Sequence, residues 1–242
     1  MIHQVGADRD TFKTLTFGPG LNVILADKSQ GATDRQSRNG AGKTSFVELV
    51  HFLCGANAKS NGIFRSEALR NWTFNALIDV GGSCLSISRS GTTSGRIHVG
   101  GDDTIGSVNS HLQQSLAFEE PNLPAVPREI SNTHWKDTLG ARWFGLSTDE
   151  GSDTGKFRPT FRSLFSFAAR RQENGGFQNP MHHTSMQQVW DRQVSVSYLI
   201  GLDWTVPSRF QECREREKSA KQLRQAARSE ELGPFLGNAA EL

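Results

Sequence analysis

An α/β fold is predicted for this chain, and three observations predict it. A short, branched apolar run, Leu21-Asn22-Val23-Ile24-Leu25, precedes a polar stretch rich in Gly, Ser and Asn and then a segment of helical periodicity. A hairpin pattern centred on Gly81-Gly82 supplies an antiparallel section. The last third carries apolar residues at helical spacing. With 242 residues, 36% hydrophobic and 21% charged, the chain is long and apolar enough for one domain with a core, or for one domain plus an appendage.

The first 26 residues read as extended. Phe12 to Phe17 alternates apolar and polar, as a half-buried strand does; Gly18-Pro19-Gly20 is a turn, and Leu21 to Leu25 reads as a buried strand. Residues 27–40 read as a loop. Thr44 to Cys54 reads as a helix, with Phe46, Val47, Val50, Leu53 and Cys54 on one face and Gly55 as its stop. Trp72–Val80 and Cys84–Arg89 form the hairpin, and Arg96–Val99 is a third strand. Residues 100–133 carry three prolines between 121 and 127, which argue for irregular chain, and Gly145–Lys156 reads as a polar loop. Phe161, Leu164, Phe165 and Ala168 mark one helix face; Met186, Val189, Trp190 and Val194 open a second helix that runs to about Ile200. From about Ser208 to Leu232 a charged stretch has thin apolar spacing at Phe210, Cys213, Ala220, Leu223 and Ala227. It reads either as a solvated surface helix with a frayed tail or as the root of a coiled coil.

Composition removes some function classes. The 27 basic and 25 acidic residues give a net charge of +2, so any DNA contact needs a local patch. No run approaches the roughly 20 apolar residues that span a bilayer, which predicts no membrane partner, and Met1-Ile2-His3-Gln4 does not open a secretory signal. Cys54, Cys84 and Cys213 are odd in number and widely spaced. That argues against a disulfide framework or zinc site and for a reducing cytoplasm.

The chemistry-bearing motif is Ser37-Arg38-Asn39-Gly40-Ala41-Gly42-Lys43-Thr44, followed by Ser45. In a phosphate-binding loop, consecutive backbone N–H groups point at the β- and γ-phosphates, and glycines let the chain approach closely. A lysine adds a point charge, and the next hydroxyl goes to Mg²⁺. Asn39, Gly40, Ala41, Gly42, Lys43, Thr44 and Ser45 fit those roles, although Ser37 stands where the full pattern has its first glycine. An Asn-Gly-x-Gly-Lys-Ser/Thr string arises by chance in roughly one such chain in a thousand. The competing structural reading is an incidental glycine turn that caps a helix.

With the loop in its setting, a resemblance emerges. Phe12-Lys13-Thr14, Phe17-Gly18-Pro19-Gly20-Leu21-Asn22-Val23-Ile24, Asn39 to Thr44 and Val47 to Gly55 together resemble the N-terminal lobe of SMC/RecN/RecF-type ABC ATPases. The polar insertion between Asp27 and Ser37 is similar to the SMC-like ATPases of bacterial three-component ABC defence systems. Trp72-Thr73-Phe74 leading to Ser88-Arg89, Arg170-Arg171-Gln172 with Gly175 to Pro180, and Tyr198 to Asp203 fit that branch too. The resemblance implies a P-loop NTPase fold: a head lobe over residues 1–205, then a charged helix over 206–242 that begins a coiled coil. It implies ATP and Mg²⁺ as cofactors, with Thr44 and a Q-loop glutamine at the metal. Gln172 is the candidate and Gln178 the reserve, against the reading that both are polar loop residues. Lys13 is placed near the nucleotide, or is an ordinary exposed lysine.

A signature motif, a Walker B run ending Asp-Glu and a switch histidine are not found in this sequence. The resemblance puts them in a C-terminal lobe, so the expected reading is half of an ATPase head, a fragment, with no catalytic residue of its own. It would hydrolyse ATP only when completed by that lobe. Its partners are then the lobe, a second head in a homodimer, DNA, and accessory subunits of a defence system; its role is DNA repair, genome maintenance or anti-phage defence. Two alternatives remain. Ala76-Leu77-Ile78-Asp79 is an apolar run ending in Asp, so Asp79 could hold Mg²⁺ in a self-contained hydrolase, although Gly81-Gly82 after it reads more simply as a hairpin turn. The loop could otherwise serve a non-catalytic, nucleotide-dependent scaffold. His182-His183 lacks Glu or Cys partners at ligand spacing, and Gly155-Lys156-Phe157 lacks the hydroxyl residue and the preceding strand of a second phosphate loop.

Overall fold

The computed structural model describes residues 1–25, 42–100, 128–147 and 155–228. They form a mixed α/β arrangement: one antiparallel sheet with helices packed on it. The strands are β1 (Ile2–Ala7), β2 (Leu15–Thr16), β3 (Thr73–Val80), β4 (Ser83–Ser90), β5 (Arg96–Gly100) and β6 (Arg128–Ser131), in the order β2-β1-β3-β4-β5-β6. The helices are α1 (Lys43–Leu53), α2 (Asn132–Phe144), α3 (Phe161–Ala168), α4 (Val189–Leu199) and α5 (Thr205–Arg228).

The β3–β4 hairpin follows from its turn. Val80 pairs with Ser83, which leaves Gly81 and Gly82 as a two-residue loop with φ of +64° and +86°. Two consecutive positive φ angles define the turn whose twist matches flanking strands, and glycine takes them without a steric penalty. Strand parity then sets the core. Phe74, Ala76, Ile78 and Val80 on β3, and Leu85 and Ile87 on β4, are buried together with Val5 and Ile97. Onto this face α1 brings Leu49, Phe52 and Leu53, α2 brings Trp135 and Leu139, and α3 brings Phe161 and Phe165. Phe52 stacks on Phe64 at 4.4 Å, and both meet Phe74 edge-on.

Several expected elements differ. The Phe12–Phe17 strand is reduced to Leu15–Thr16. Leu21–Leu25 is not a strand, and Leu21 and Leu25 are 92% and 83% exposed. A strand needs a hydrogen-bonding neighbour as well as an apolar composition, and the described residues offer this run none. Asn22 instead closes the preceding turn, accepting from Gly18 N–H at 3.0 Å and donating to Gly18 O at 2.8 Å. Met186 lies outside α4 and is exposed. Helix α2 and strand β6 are not among the expected elements. Ser131 caps α2 by accepting from His134 N–H at 3.1 Å. The loop expected over 27–40 and most of residues 100–133 lie outside the described residues.

Helix α5 runs for 24 residues, and from Arg216 to Gln225 every side chain is exposed. Among the described residues no helix is long and apolar enough to cross a membrane.

Candidate functional site

Helix α1 is fixed at its C-terminal end. Around its C-terminus each carbonyl from Phe52 to Ala56 accepts a side-chain hydrogen bond. Arg89 on β4 donates to Phe52 O and to Ala56 O (2.9 Å), Trp135 Nε1 to Leu53 O (2.9 Å), Arg162 to Cys54 O (3.1 Å) and Asn132 to Gly55 O (3.2 Å). Helices leave their last carbonyls without intrahelical partners, and positive charge is favourable there. Arg89, 1% exposed, also holds Ser94 O at 2.9 Å and lies over the Phe52 ring at 4.2 Å. Burial pulls both Arg89 and Arg162 down to about 10, so both remain cationic at neutral pH.

The N-terminus of α1 is the end that carries the loop motif. Gly42 stands at its cap with φ +78°, in the left-handed region that favours glycine, and a Cβ added there would meet nothing within 4 Å. Lys43 and Thr44 are exposed and Ser45 is half-buried. Phe46 N–H reaches Gly42 O at 2.8 Å, while the amides of Lys43, Thr44 and Ser45 have no acceptor within the helix. The first turn holds no acidic residue. This end fits a phosphate chemically: amides without a partner inside the helix, a lysine and a hydroxyl, with no acidic residue in the first turn. Asn39, Gly40 and Ala41 lie outside the described residues, as do Ser37 and Arg38.

A second segment meets α1 along one stripe. Thr44, Glu48 and His51 follow one another at helical spacing on the same face. His51 Nε2 donates to Ala169 O at 3.0 Å, and Glu48 Oε1 accepts from Arg171 Nε at 2.7 Å. Residues 169 and 171 are therefore tied to the side of α1 that carries His51 and Glu48. Gln172 opens a short 3₁₀ turn, Gln172–Asn174, and is exposed. Gln178 is also exposed and lies further along, its N–H on Gly175 O at 3.1 Å. Sequence reasoning missed Glu48, Arg171 and His51 as the contacts that position this segment. The i, i+4, i+7 spacing from Thr44 is the signal that could have found them.

His51 is buried and neutral. Its Nε2 faces a carbonyl and must carry the proton, so Nδ1 accepts from Arg162 at 2.7 Å. Burial, with Arg171 and Arg162 nearby, lowers its pKa to about 3 from an ordinary 6.5. A base depressed in this way binds its proton in the unfolded chain first, so stability is full above about 6.5 and falls as pH drops toward 3. His51→Gln keeps one donor and one acceptor without titrating. Its melting temperature is expected to fall less than that of wild type between pH 6.5 and 4. Equal acid losses in thermal scans would remove His51 as the responsible group.

The other candidates fall elsewhere. Lys13 is exposed between β1 and β2, next to Phe12, whose ring meets Phe74 at 6.3 Å in the cluster that holds Phe52. By contrast, Phe17 meets Phe46 in the first turn of α1, at 5.8 Å. Asp79 Oδ1 accepts Gly82 N–H at 3.0 Å, and its carbonyl accepts from Trp143 Nε1 at 3.0 Å, so Asp79 serves the hairpin turn. His183 meets Asp191 at 3.3 Å; Ser163 and Gln187 each donate to the same carboxylate at 2.7 Å. Burial pushes Asp191 up, but these hydrogen bonds more than offset it, and the carboxyl lies below its ordinary range. Ser163 and His183 both bond the acid rather than each other, which is not a nucleophile–base arrangement. Among the described residues, no group of three or more His, Cys, Asp or Glu side chains is placed to hold a metal.

Comparison with protein-family models, with curated proteins and with solved structures finds no match.

Proposed function

We propose that this chain binds the phosphates of ATP at the N-terminus of α1, as one half of an SMC-like ABC ATPase head. The observation that carries the reading is the stripe on α1. It ties an Arg-Arg-Gln segment, more than a hundred residues away in sequence, to the helix that follows the glycine-rich motif. Lys43 and the amides from Asn39 to Ser45 would hold the phosphates; Thr44 and Gln172 would hold Mg²⁺ through the bound nucleotide. Bound ATP would drive closure of two heads, with the chemistry supplied by residues of a complementary lobe. The exposed apolar run Leu21, Val23, Ile24 and Leu25, which precedes the motif in sequence, supports such a lobe, because a strand added there would bury it. In that assembly the head acts on DNA, in genome maintenance or anti-phage defence, and α5 leads toward a coiled coil. Protection of DNA by the completed head, lost in Lys43→Ala, is the test of that role; equal activity in the two proteins would remove it.

Calorimetric titration and steady-state turnover test the site. The purified chain is expected to bind MgATP and to release no phosphate above the Lys43→Ala background. Turnover by the chain alone, lost in Asp79→Asn, would replace this reading with a self-contained hydrolase. Absence of saturable binding would remove it altogether.

A further inference from the structure

We infer that residues 179–183 are clipped to α4 by a pH-sensitive histidine: His182 must be neutral to hold Arg192, so the clip opens as the solution turns acid. The clip is independent of the proposed ATP site. Two adjacent histidines here face charges of opposite sign. His182 Nε2 meets a guanidinium nitrogen of Arg192, and His183 Nε2 meets Asp191 Oδ2 at 3.3 Å. A guanidinium offers donors only, so His182 Nε2 must accept and its proton must sit on Nδ1. An imidazolium has no lone pair to offer, and its charge repels Arg192. His183 responds in the opposite way. It donates to a carboxylate, and a second proton on its ring leaves that bond in place and strengthens it.

The charged groups set against the two rings are Asp191 and Arg192 of α4, and Arg170 just after α3. Arg170 lies 5.0 Å from the centre of the Phe167 ring and donates to Pro180 O at 2.6 Å and to His182 O, so a second cation holds the backbone of the same residue. Asp191 also accepts from Ser163 of α3 and from Gln187, each at 2.7 Å, and its carboxyl lies below its ordinary range, so it stays ionised. Histidine is the side chain that ordinarily changes charge between about pH 5 and 8. Of the two rings, His182 is the one whose protonation breaks a contact. The released form takes up the proton and the clipped form does not, so the clip is complete at high pH and is lost as pH falls. His183 stays on Asp191, and its N–H donates to Gln187 Oε1 at 3.2 Å, which confines the opening to the side of His182.

The test uses the full chain. The amides of Met181 and His182, both held by Asn179, report the clip, and those of β3 report the global fold. Their hydrogen exchange, corrected for its intrinsic pH dependence, is compared at about pH 7.5 and about pH 5.5. Wild-type protection at Met181 and His182 is expected to fall about tenfold at the lower pH while β3 is unchanged. His182→Gln places an amide oxygen near Nε2 that accepts at either pH, and it should keep protection level across the two conditions. His183→Gln should retain the fall, and Arg192→Met should lose protection at both. The ring nitrogen shifts of His182, identified by their absence in His182→Gln, should show at about pH 7.5 a neutral ring with its proton on Nδ1. The inference is overturned if wild-type protection does not change, if β3 loses as much, or if His182→Gln falls as wild type does. A ring protonated at Nε2 at the higher pH, or a response lost in His183→Gln alone, overturns it as well.

Discussion

Arg89→Ala is expected to destabilise the fold by about 3 kcal/mol or more, because it strips the Phe52, Ala56 and Ser94 carbonyls of a side-chain donor and leaves a cavity beside Phe52. Against a typical total of about 5–15 kcal/mol, that loss is enough to populate the unfolded chain. Arg89→Lys should recover only part of it. An ammonium can replace one of these bonds, but it lacks the planar fork that reaches Phe52 O, Ala56 O and Ser94 O together. Urea unfolding reads this directly as a lower midpoint at unchanged slope. A midpoint within error of wild type would mean that the α1 C-terminus is not held through Arg89. The same anchor matters for function. With its C-terminal carbonyls occupied by donors from β4, α2 and α3, α1 keeps a fixed direction, and its other end presents Lys43 and Thr44, both exposed.

Arg89 also shows how much of the site could be read in advance. Leu85, Ile87 and Arg89 share one strand parity, so the alternation that identifies β4 already places Arg89 on the core side. What the alternation does not show is the set of partners, because these come from residues 52 to 56 and from the turn at Ser94. The hairpin was legible because its determinants, Gly81-Gly82 and the flanking alternation, are local. Helix α1 was legible for the same reason, from its apolar face and from Gly55, which takes φ +82°. Leu21–Leu25 was not, since strand formation depends on a neighbour that local composition does not specify. Helix α2 carried a readable signal in Trp135, Leu139 and Trp143 at four-residue steps after the Ser131 cap, but it follows a proline-containing stretch that has no periodicity. The stripe Thr44–Glu48–His51 is legible as spacing. Its meaning depends on a contact across 123 residues of sequence, from Glu48 to Arg171.

Lys43→Ala is expected to weaken MgATP binding about a hundredfold, which corresponds to about 2.7 kcal/mol and to the loss of a charge-assisted hydrogen bond. Fold stability should barely move, because Lys43 is an exposed first-turn residue and alanine is the best helix former. The two measurements separate binding from folding: affinity falls steeply while the urea midpoint stays within error. Arg89→Ala should give the opposite pattern near the same helix, with a large change in midpoint and retained affinity in the fraction that remains folded. If Lys43→Ala lowered affinity and stability together, the lysine would be holding the loop rather than the phosphate, and the glycine-rich motif would be a helix cap. If it changed neither, the N-terminus of α1 would not be a nucleotide site. The division of α1 into an anchored end and a binding end predicts that substitutions from Phe52 onward act on folding, and that those at Lys43 and Thr44 act on ligand.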